Sequence, residues 1–382
     1  MSKNKFDLNT RKLNVFYNGR KVGTLALYQR AFLAFEYDKE WIETGFSISP
    51  FSLPLRKGVF IPKIDPFEGL YGAFADSLPD GWGRLLVDRM LIKNNIPLEK
   101  INMLDRLAIV GNNGMGALSY RPEKEFVHQF SDYNLDTLAE ECKALLNTNY
   151  SQDLDKLYTL GGSSGGARPK IMTCYDNSDW IIKFPSSLDS PNIGLTEYEY
   201  SKCAKKCGII MSETKLFPSK KCDGYFGTKR FDRYVDAMGN KHKIHMLSVS
   251  ALLETSHRIP NLDYNHLMKL TLELTKDFEE VEKMFRLMCF NVYAHNRDDH
   301  SKNFSFLYNE EIRKWVLSPA YDLTYSNSIG GEHATCVNGN GSNPTITDIL
   351  EVAKDIGLDW HKSTKIAKEI EEIVKTELIN IK

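Results

Sequence analysis

The strongest constraint on this 382-residue chain lies between residues 281 and 323, in VEKMFRLMCFNVYAHNRDDHSKNFSFLYNEEIRKWVLSPAYDL. Val281, Met284, Phe285, Met288, Cys289 and Val292 recur at the i, i+3, i+4 spacing of a helix with one buried stripe. That stripe is core, and it stops at HNRDDHSKN, where charged and imidazole groups crowd a short loop. A polar loop held by rigid elements is the usual mounting for reactive groups. Residues 304–308 and 312–317 then read as antiparallel strands turning at Asn309-Glu310-Glu311. If they pair, the chain after Pro319 returns to the level of Asn303, and Asp322 arrives beside the 298–303 loop.

Two carboxylates and an amide oxygen are hard donors that suit Mg²⁺ arriving with nucleotide phosphates rather than zinc. In this reading Asp298 is the base or orienter for an attacking hydroxyl, while Asn303 and Asp322 hold the metal. Any one of these residues alone is better explained as a polar cap on a helix or hairpin end. The D-x-x-x-x-N spacing with a hairpin-returned Asp is the combination that protein kinases share.

Composition narrows the setting. Lys plus Arg (49) and Asp plus Glu (50) nearly cancel, so no global field would hold the chain on nucleic acid or an anionic membrane. DNA would be reached only through a partner or a local patch. Seven scattered cysteines without a CxxC pair indicate a reducing compartment, and Cys203 and Cys207, one helical turn apart, read as core. MSKNKFDLNTRK carries no apolar signal region, and no apolar run approaches the roughly 20 residues of a bilayer span, so a cytoplasmic location is expected.

Single cores rarely grow much past roughly 250 residues, so several packed units are expected. Leu13, Val15 and Tyr17 point to one face of a strand, Asn18-Gly19 makes a two-residue turn, Val22 to Leu25 begins the return, and 31–37 reads as a third strand. FADSLPDGWGRLLVDRMLIKNN starts a helix near Gly81 with Leu85, Leu86 and Met90 on its buried face, for which a structural role suffices. A helix over 135–146 leads to LGGSSGGARPK (160–170), read as a glycine loop between strands, then IMTCY, a turn at Asp176-Asn177, and DWIIKF. A helix from Thr196 to about Lys206, stopped by Gly208, precedes a strand pair and a largely helical remainder with one hairpin. The expected fold is α+β and bilobal: an added N-terminal subdomain (1–125), a β-rich N-lobe (126–235) and a mostly α-helical C-lobe (236–382), with a hinge near 230–240.

The glycines of GGSSGG permit the close approach and positive φ that a phosphate nest needs, although flexible linkers look the same. Lys183 stands among apolar neighbours in DWIIKF, where a cation calls for an anionic partner such as a phosphate unless it snorkels from an edge strand. Thr196 and Glu199 have capping-box spacing, which leaves Glu197 as the freer partner for Lys183. Gly161-Gly162-Ser163-Ser164-Gly165 also fits the G-x-S-x-G of a hydrolase elbow, but an elbow needs a helix after the serine and here a strand follows.

On these residues the chain resembles the HipA family of bacterial serine/threonine kinases, the toxins of HipA–HipB toxin–antitoxin modules. LNVFYNGRKVGTLAL with FADSLPDGWGRLLVDR is similar to the family's N-terminal subdomain, GGSSGGARPK to its phosphate loop, WIIKFP to its lysine strand, KRFDR to its hinge, DDHSKNFSFL to its catalytic loop and LSPAYDLTYS to its metal-binding segment. The resemblance implies ATP and Mg²⁺ as cofactors. It puts the loop residues Ser163, Ser164, Gly165 and Gly166 with Lys170, Lys183 and His300 on the nucleotide, and Lys229 to Phe231 beside the adenine. It makes Asp298 and Lys302 catalytic and puts Asn303 and Asp322 on the metal. Ser163, or its neighbour Ser164, falls where family members carry an autophosphorylated serine, and a phosphate there would bring roughly −1.5 to −2 charge into the ATP site and eject the loop. A HipB-like helix-turn-helix antitoxin, DNA contact only through it, and a protein substrate such as an aminoacyl-tRNA synthetase are further implications. HMLSVSALLET (245–255) departs from the family in lacking the acidic motif common after the hinge, and only about sixty residues follow Asp322.

Overall fold

Strict alternation builds the N-terminal sheet. The computed structural model describes residues 10–29, 31–124, 133–148, 151–328 and 330–379, and in it Lys12–Tyr17 buries Leu13, Val15 and Tyr17. Asn18 and Gly19 take φ of 44° and 84°, the left-handed pair that a type I′ hairpin demands. Arg20–Tyr28 returns, Phe32–Tyr37 pairs with it, and Val59–Phe60 and Leu118–Arg121 close a five-stranded antiparallel sheet at its two edges.

A second two-residue turn sets the register of the N-lobe. Asp176 and Asn177, at φ 49° and 55°, turn Lys170–Tyr175 into Ser178–Lys183 so that Tyr175 faces Ser178 and Lys170 faces Lys183. The turn therefore stands two lysines side by side at one end of the sheet, which Tyr225–Lys229 and Thr214–Phe217 complete. Two local expectations need correction. The glycine loop follows a helix, Leu154–Gly161, rather than a strand, because Leu154 and Leu157 anchor one short apolar face in the N-lobe core. The helix expected from Thr196 begins a turn earlier, at Ile193, and Thr196 N–H donates to Asn192 O at 2.8 Å, so Thr196 and Glu199 form no capping box. Gly194 allows the early start, since a Cβ there would lie 2.2 Å from Gly224 O.

In the C-lobe, helices Tyr264–Thr275 and Phe278–Tyr293 pack against a three-stranded sheet of Met246–Ser248, Ser305–Asn309 and Lys314–Leu317, and helices Ile346–Ile356 and Trp360–Glu377 pack on those helices. The hairpin pairs Phe306 with Leu317 and Asn309 with Lys314, its turn extending to Arg313, so its second strand starts two residues later than expected. The remainder also holds more strand than one hairpin: Arg233–Val235 pairs with Lys241–Lys243, and Leu262–Asp263 runs parallel to Thr335–Cys336. Strands of two or three residues are too short to show alternation.

One hydrophobic core runs unbroken from Leu13, Phe35 and Phe74 of the N-terminal sheet to Phe285, Met288 and Ile370 of the C-lobe. A second packs Trp82, Leu86 and Met90 of helix Gly81–Lys93 against the N-lobe. The N-terminal unit thus grips both lobes. Its expected boundary at 125/126 lies outside the described residues, and the one at 235/236 falls at the turn of the Arg233–Val235 hairpin. All seven cysteines are free, with Cys203 and Cys207 buried. Among the described residues no helix is long and apolar enough to cross a membrane.

The connector between the lobes is held by charge. Fully buried Asp232 accepts from Arg230 Nε at 2.9 Å, Arg233 Nη1 at 2.8 Å and Gly116 N–H at 2.7 Å, and both arginines donate to Gly114 O. Burial pushes the carboxyl up, but the two guanidiniums outweigh it and leave it at about 2. Asp232→Ala strands two buried cations and should cost about 3–5 kcal/mol in urea unfolding. The folded value lies below the roughly 3.9 of an unfolded Asp, so this contribution should be full above about pH 4 and fade as pH falls toward 2.

Candidate active site

A cavity of about 650 Å³ opens between the N-lobe sheet, the 298–303 loop and the N-terminal unit. The glycine loop, Lys170, Lys183, Lys229, Phe231, Asp298, His300, Lys302, Asn303 and Asp322 all line it. Lys183 ends its strand and contacts two carboxylates, Glu197 of helix Ile193–Lys206 and Asp322. Burial alone would lower the Lys183 pKa, but these two acids raise it, so it stays charged. Lys170 is buried opposite, and among the described residues it has no ion-pair partner. Burial lowers its pKa and Lys183 adds to that, with Asp322 acting against both. Two neighbouring lysines, one of them without an ion pair, make this end of the sheet favourable for an anion.

The paired aspartates of the 298–303 loop have different surroundings. Asp299 is buried, accepting from Tyr264 OH at 2.9 Å, His333 Nδ1 at 2.9 Å and Thr335 N–H at 3.2 Å. These bonds stake the loop to the C-lobe, while Asp298 opens onto the cavity. His300 Nδ1 accepts Lys302 N–H at 3.2 Å, and its Nε2 lies 3.9 Å from Asp298 Oδ1. Asn303 Nδ2 donates to Asp298 O at 2.6 Å, which leaves Oδ1 as the side chain's cation donor.

The hairpin delivers Asp322 as the register requires. Ser318 N–H donates to Ser305 O at 2.9 Å, and Tyr321 OH donates to Lys302 O at 2.6 Å, pinning the returning segment to the catalytic loop. Asp322 itself has φ 54°, a left-handed conformation uncommon outside glycine and often found where function demands it. Burial works against its ionisation, yet Lys183 and then Lys170 hold its carboxyl well below the usual range. Asp298 is shifted the other way: enclosure by the cleft raises it, His300 opposes, and Asp322 and Asp299 add to the rise. Two carboxylates in mutual repulsion beside an amide oxygen are a donor set that fits a divalent cation.

Met172, Ile181, Met211, Phe231 and Leu323 supply an apolar slot above these charges, with Phe231 tilted on Tyr321 at 5.6 Å between centroids. Lys229 N–H is committed to Glu213 O at 2.9 Å, so any ring contact from this segment uses its other groups. In the glycine loop, Ser164 is 2% exposed and its hydroxyl donates to Gly161 O at 2.6 Å, whereas Ser163 is half-buried on the cavity wall. A helix precedes this serine pair and a strand follows, the reverse of a nucleophile elbow, which removes the hydrolase reading.

Sequence reasoning missed the contribution of the N-terminal unit. Asp80 Oδ2 lies 2.5 Å from Lys302 Nζ, and Asp76 accepts Ser248 N–H at 2.6 Å and its hydroxyl at 2.8 Å; both acids line the cavity. The signal was present as two aspartates bracketing Ser-Leu-Pro in FADSLPDGWG, acids with no place on a purely apolar packing face.

Fold and cleft together define a bilobal, protein-kinase-like protein with an added N-terminal unit. Residues 13–121 match the HipA N-terminal domain and residues 162–377 the HipA-like C-terminal domain, and the chain belongs to the HipA family. Two curated relatives come from Sinorhizobium fredii (strain NBRC 101917 / NGR234). "Putative kinase Y4mE" is 26% identical, covering 83% of this chain and 77% of its own, and "Putative kinase Y4dM" is 25% identical, covering 81% and 76%. Among solved structures, the Shewanella oneidensis MR-1 toxin–antitoxin complex of HipA, HipB and operator DNA superposes with a TM-score of 0.73 at 16% identity, over 97% of this chain and 90% of that one. That likeness establishes the shared fold.

Lys183→Met would take from Asp322 its ion-pair partner and leave Glu197 with Arg168 alone, at 3.6 Å. The expected outcome is nucleotide affinity weakened roughly tenfold or more, the scale of a hydrogen bond to a charged group. Loss of the thermal shift induced by Mg²⁺ with a non-hydrolysable ATP analogue would report it.

Proposed function

We propose that this protein is an ATP- and Mg²⁺-dependent serine/threonine protein kinase of the HipA toxin type, which also phosphorylates its own glycine loop at Ser163. The reading rests on one juxtaposition: Lys183, bonded to Glu197 and Asp322, shares a cavity with Asp298 and Asn303, so both lobes contribute to a single charged centre.

Each side chain then has a task. Lys170 and Lys183 draw the phosphates into the cleft, and the Met172–Ile181 wall with Phe231 takes the adenine. Asn303 and Asp322 would hold the cation, and Mg²⁺, when bound, would supply charge neutralisation at the phosphate oxygens. Asp298, a stronger base than a free aspartate, accepts the proton of the attacking hydroxyl, with His300 beside it and Lys302 adding positive charge. Ser163 is favoured over Ser164 as the modified residue because the Ser164 hydroxyl is buried and already bonded. A HipB-like helix-turn-helix antitoxin is the partner this family membership supports, as the superposing HipA is held with HipB and operator DNA. DNA would be approached only through that partner. The substrate is a cytoplasmic protein, with an aminoacyl-tRNA synthetase the leading candidate on family resemblance.

Purified protein given labelled ATP and Mg²⁺ should take up phosphate on the glycine loop, and Asp298→Ala should reduce transfer by about 10²–10⁴-fold, the range for a positioned acid–base group. Ser163→Ala should abolish the self-label while Ser164→Ala retains it, as read by peptide mass spectrometry. Nucleotide binding without transfer to itself or to lysate proteins would instead identify a nucleotide-binding subunit that serves its antitoxin alone.

A further inference from the structure

The segment Asp80-Gly81-Trp82-Gly83, which opens helix Gly81–Lys93, is shaped around the glycine loop. Asp80 uses both carboxylate oxygens on different parts of the protein. Oδ1 accepts Gly166 N–H from the loop, and Oδ2 takes Lys302 Nζ at 2.5 Å from the catalytic loop. Trp82 continues the seat, its N–H donating to Gly166 O at 2.9 Å and its indole Nε1 to Lys170 O at 3.0 Å. Gly166 can present its amide and carbonyl to one neighbour because it sits at φ 85°.

The two glycines complete the fit. A Cβ at Gly81 would fall 2.5 Å from Gly166 O, and one at Gly83 only 2.1 Å from Ser164 O. Both approaches are closer than any side chain tolerates, so the helix start is cut back where the loop backbone lies against it. Hydrophobic packing does not require this, since Trp82, Leu86 and Met90 already anchor the helix in the N-lobe core.

We infer that Asp80 is a positioning residue that latches the glycine loop to Lys302, so that the N-terminal unit holds the loop in its nucleotide-ready place. The value of that place for catalysis rests on the kinase reading above, but the latch is a matter of geometry alone. A carboxylate is needed because two donors must be satisfied at once, one of them a cation. An asparagine offers one acceptor oxygen and turns an N–H₂ toward either the loop amide or the ammonium.

The test is hydrogen–deuterium exchange on the full chain without nucleotide, comparing wild type with Asp80→Asn and Gly83→Ala. In both variants the peptide spanning 162–168 should exchange about 10- to 100-fold faster, the scale of losing a hydrogen bond to a charged group. Unchanged exchange in the 305–317 hairpin verifies the fold. Gly83→Ala keeps the carboxylate and suits a helix interior, so it reaches the open loop by displacement instead of by lost charge. In kinetics, Asp80→Asn should raise the KM for ATP by a similar factor with a smaller change in kcat, and Asp80→Glu should recover part of it. Unchanged loop exchange in both variants overturns the latch, and an opened loop with KM unaltered overturns its role in holding the loop ready for nucleotide. An opened loop in variants of a wild type that transfers no phosphate leaves the latch standing and removes the kinase reading.

Discussion

A buried cation shared by two acids from different parts of the fold is the interaction on which this site depends. Lys183 belongs to the N-lobe sheet, Glu197 to the helix packed beside it, and Asp322 to the segment returned by the C-lobe hairpin. Removing such charges from water costs several kcal/mol for each ion unless all partners are present together. The arrangement therefore penalises any movement of one lobe that leaves the other behind, and it keeps Asp322 ionised. Lys170 belongs to the same balance at longer range: it helps hold the Asp322 carboxyl down without forming an ion pair of its own.

Around this centre the N-terminal unit is a working part rather than an appendage. Its sheet shares the C-lobe core, its helix Gly81–Lys93 shares the N-lobe core, and Gly114 and Gly116 receive and feed the Arg230–Asp232–Arg233 network of the connector. Asp80 then joins the glycine loop to the 298–303 loop across the gap between the lobes. The same unit thus restrains the lobes at their connector and at the mouth of their cleft. Asp299, bonded on three sides within the C-lobe, provides the rigid floor from which Asp298 projects.

What could be read in advance was whatever a local rule governs. Asn18-Gly19 and Asp176-Asn177 specify I′ turns through the φ values their residues accept, and the second of these turns brings Lys170 opposite Lys183. The stripe of helix Phe278–Tyr293 and the hairpin after it were legible for the same reason. Helix Leu154–Gly161 and the strands Arg233–Val235 and Lys241–Lys243 were not, because segments of three to eight residues hold too few periods to stand out. The capping box at Thr196 failed although its residue types were right, since close packing at Gly194 started the helix a turn earlier.

By itself the sequence determined the chemical inventory and the short-range geometry: which residues carry charge, which turns reverse the chain, and hence that Asp322 returns to the level of Asn303. Only the tertiary structure decided that Asp299 is buried as an anchor behind Asp298, that the Ser164 hydroxyl is tied to the backbone while Ser163 is not so enclosed, and that Asp80 takes part at all. The physical reason is burial. Neighbours in sequence share composition and propensity, but the energy of a charge or hydroxyl is set by what packs against it, and those groups come from elsewhere in the chain.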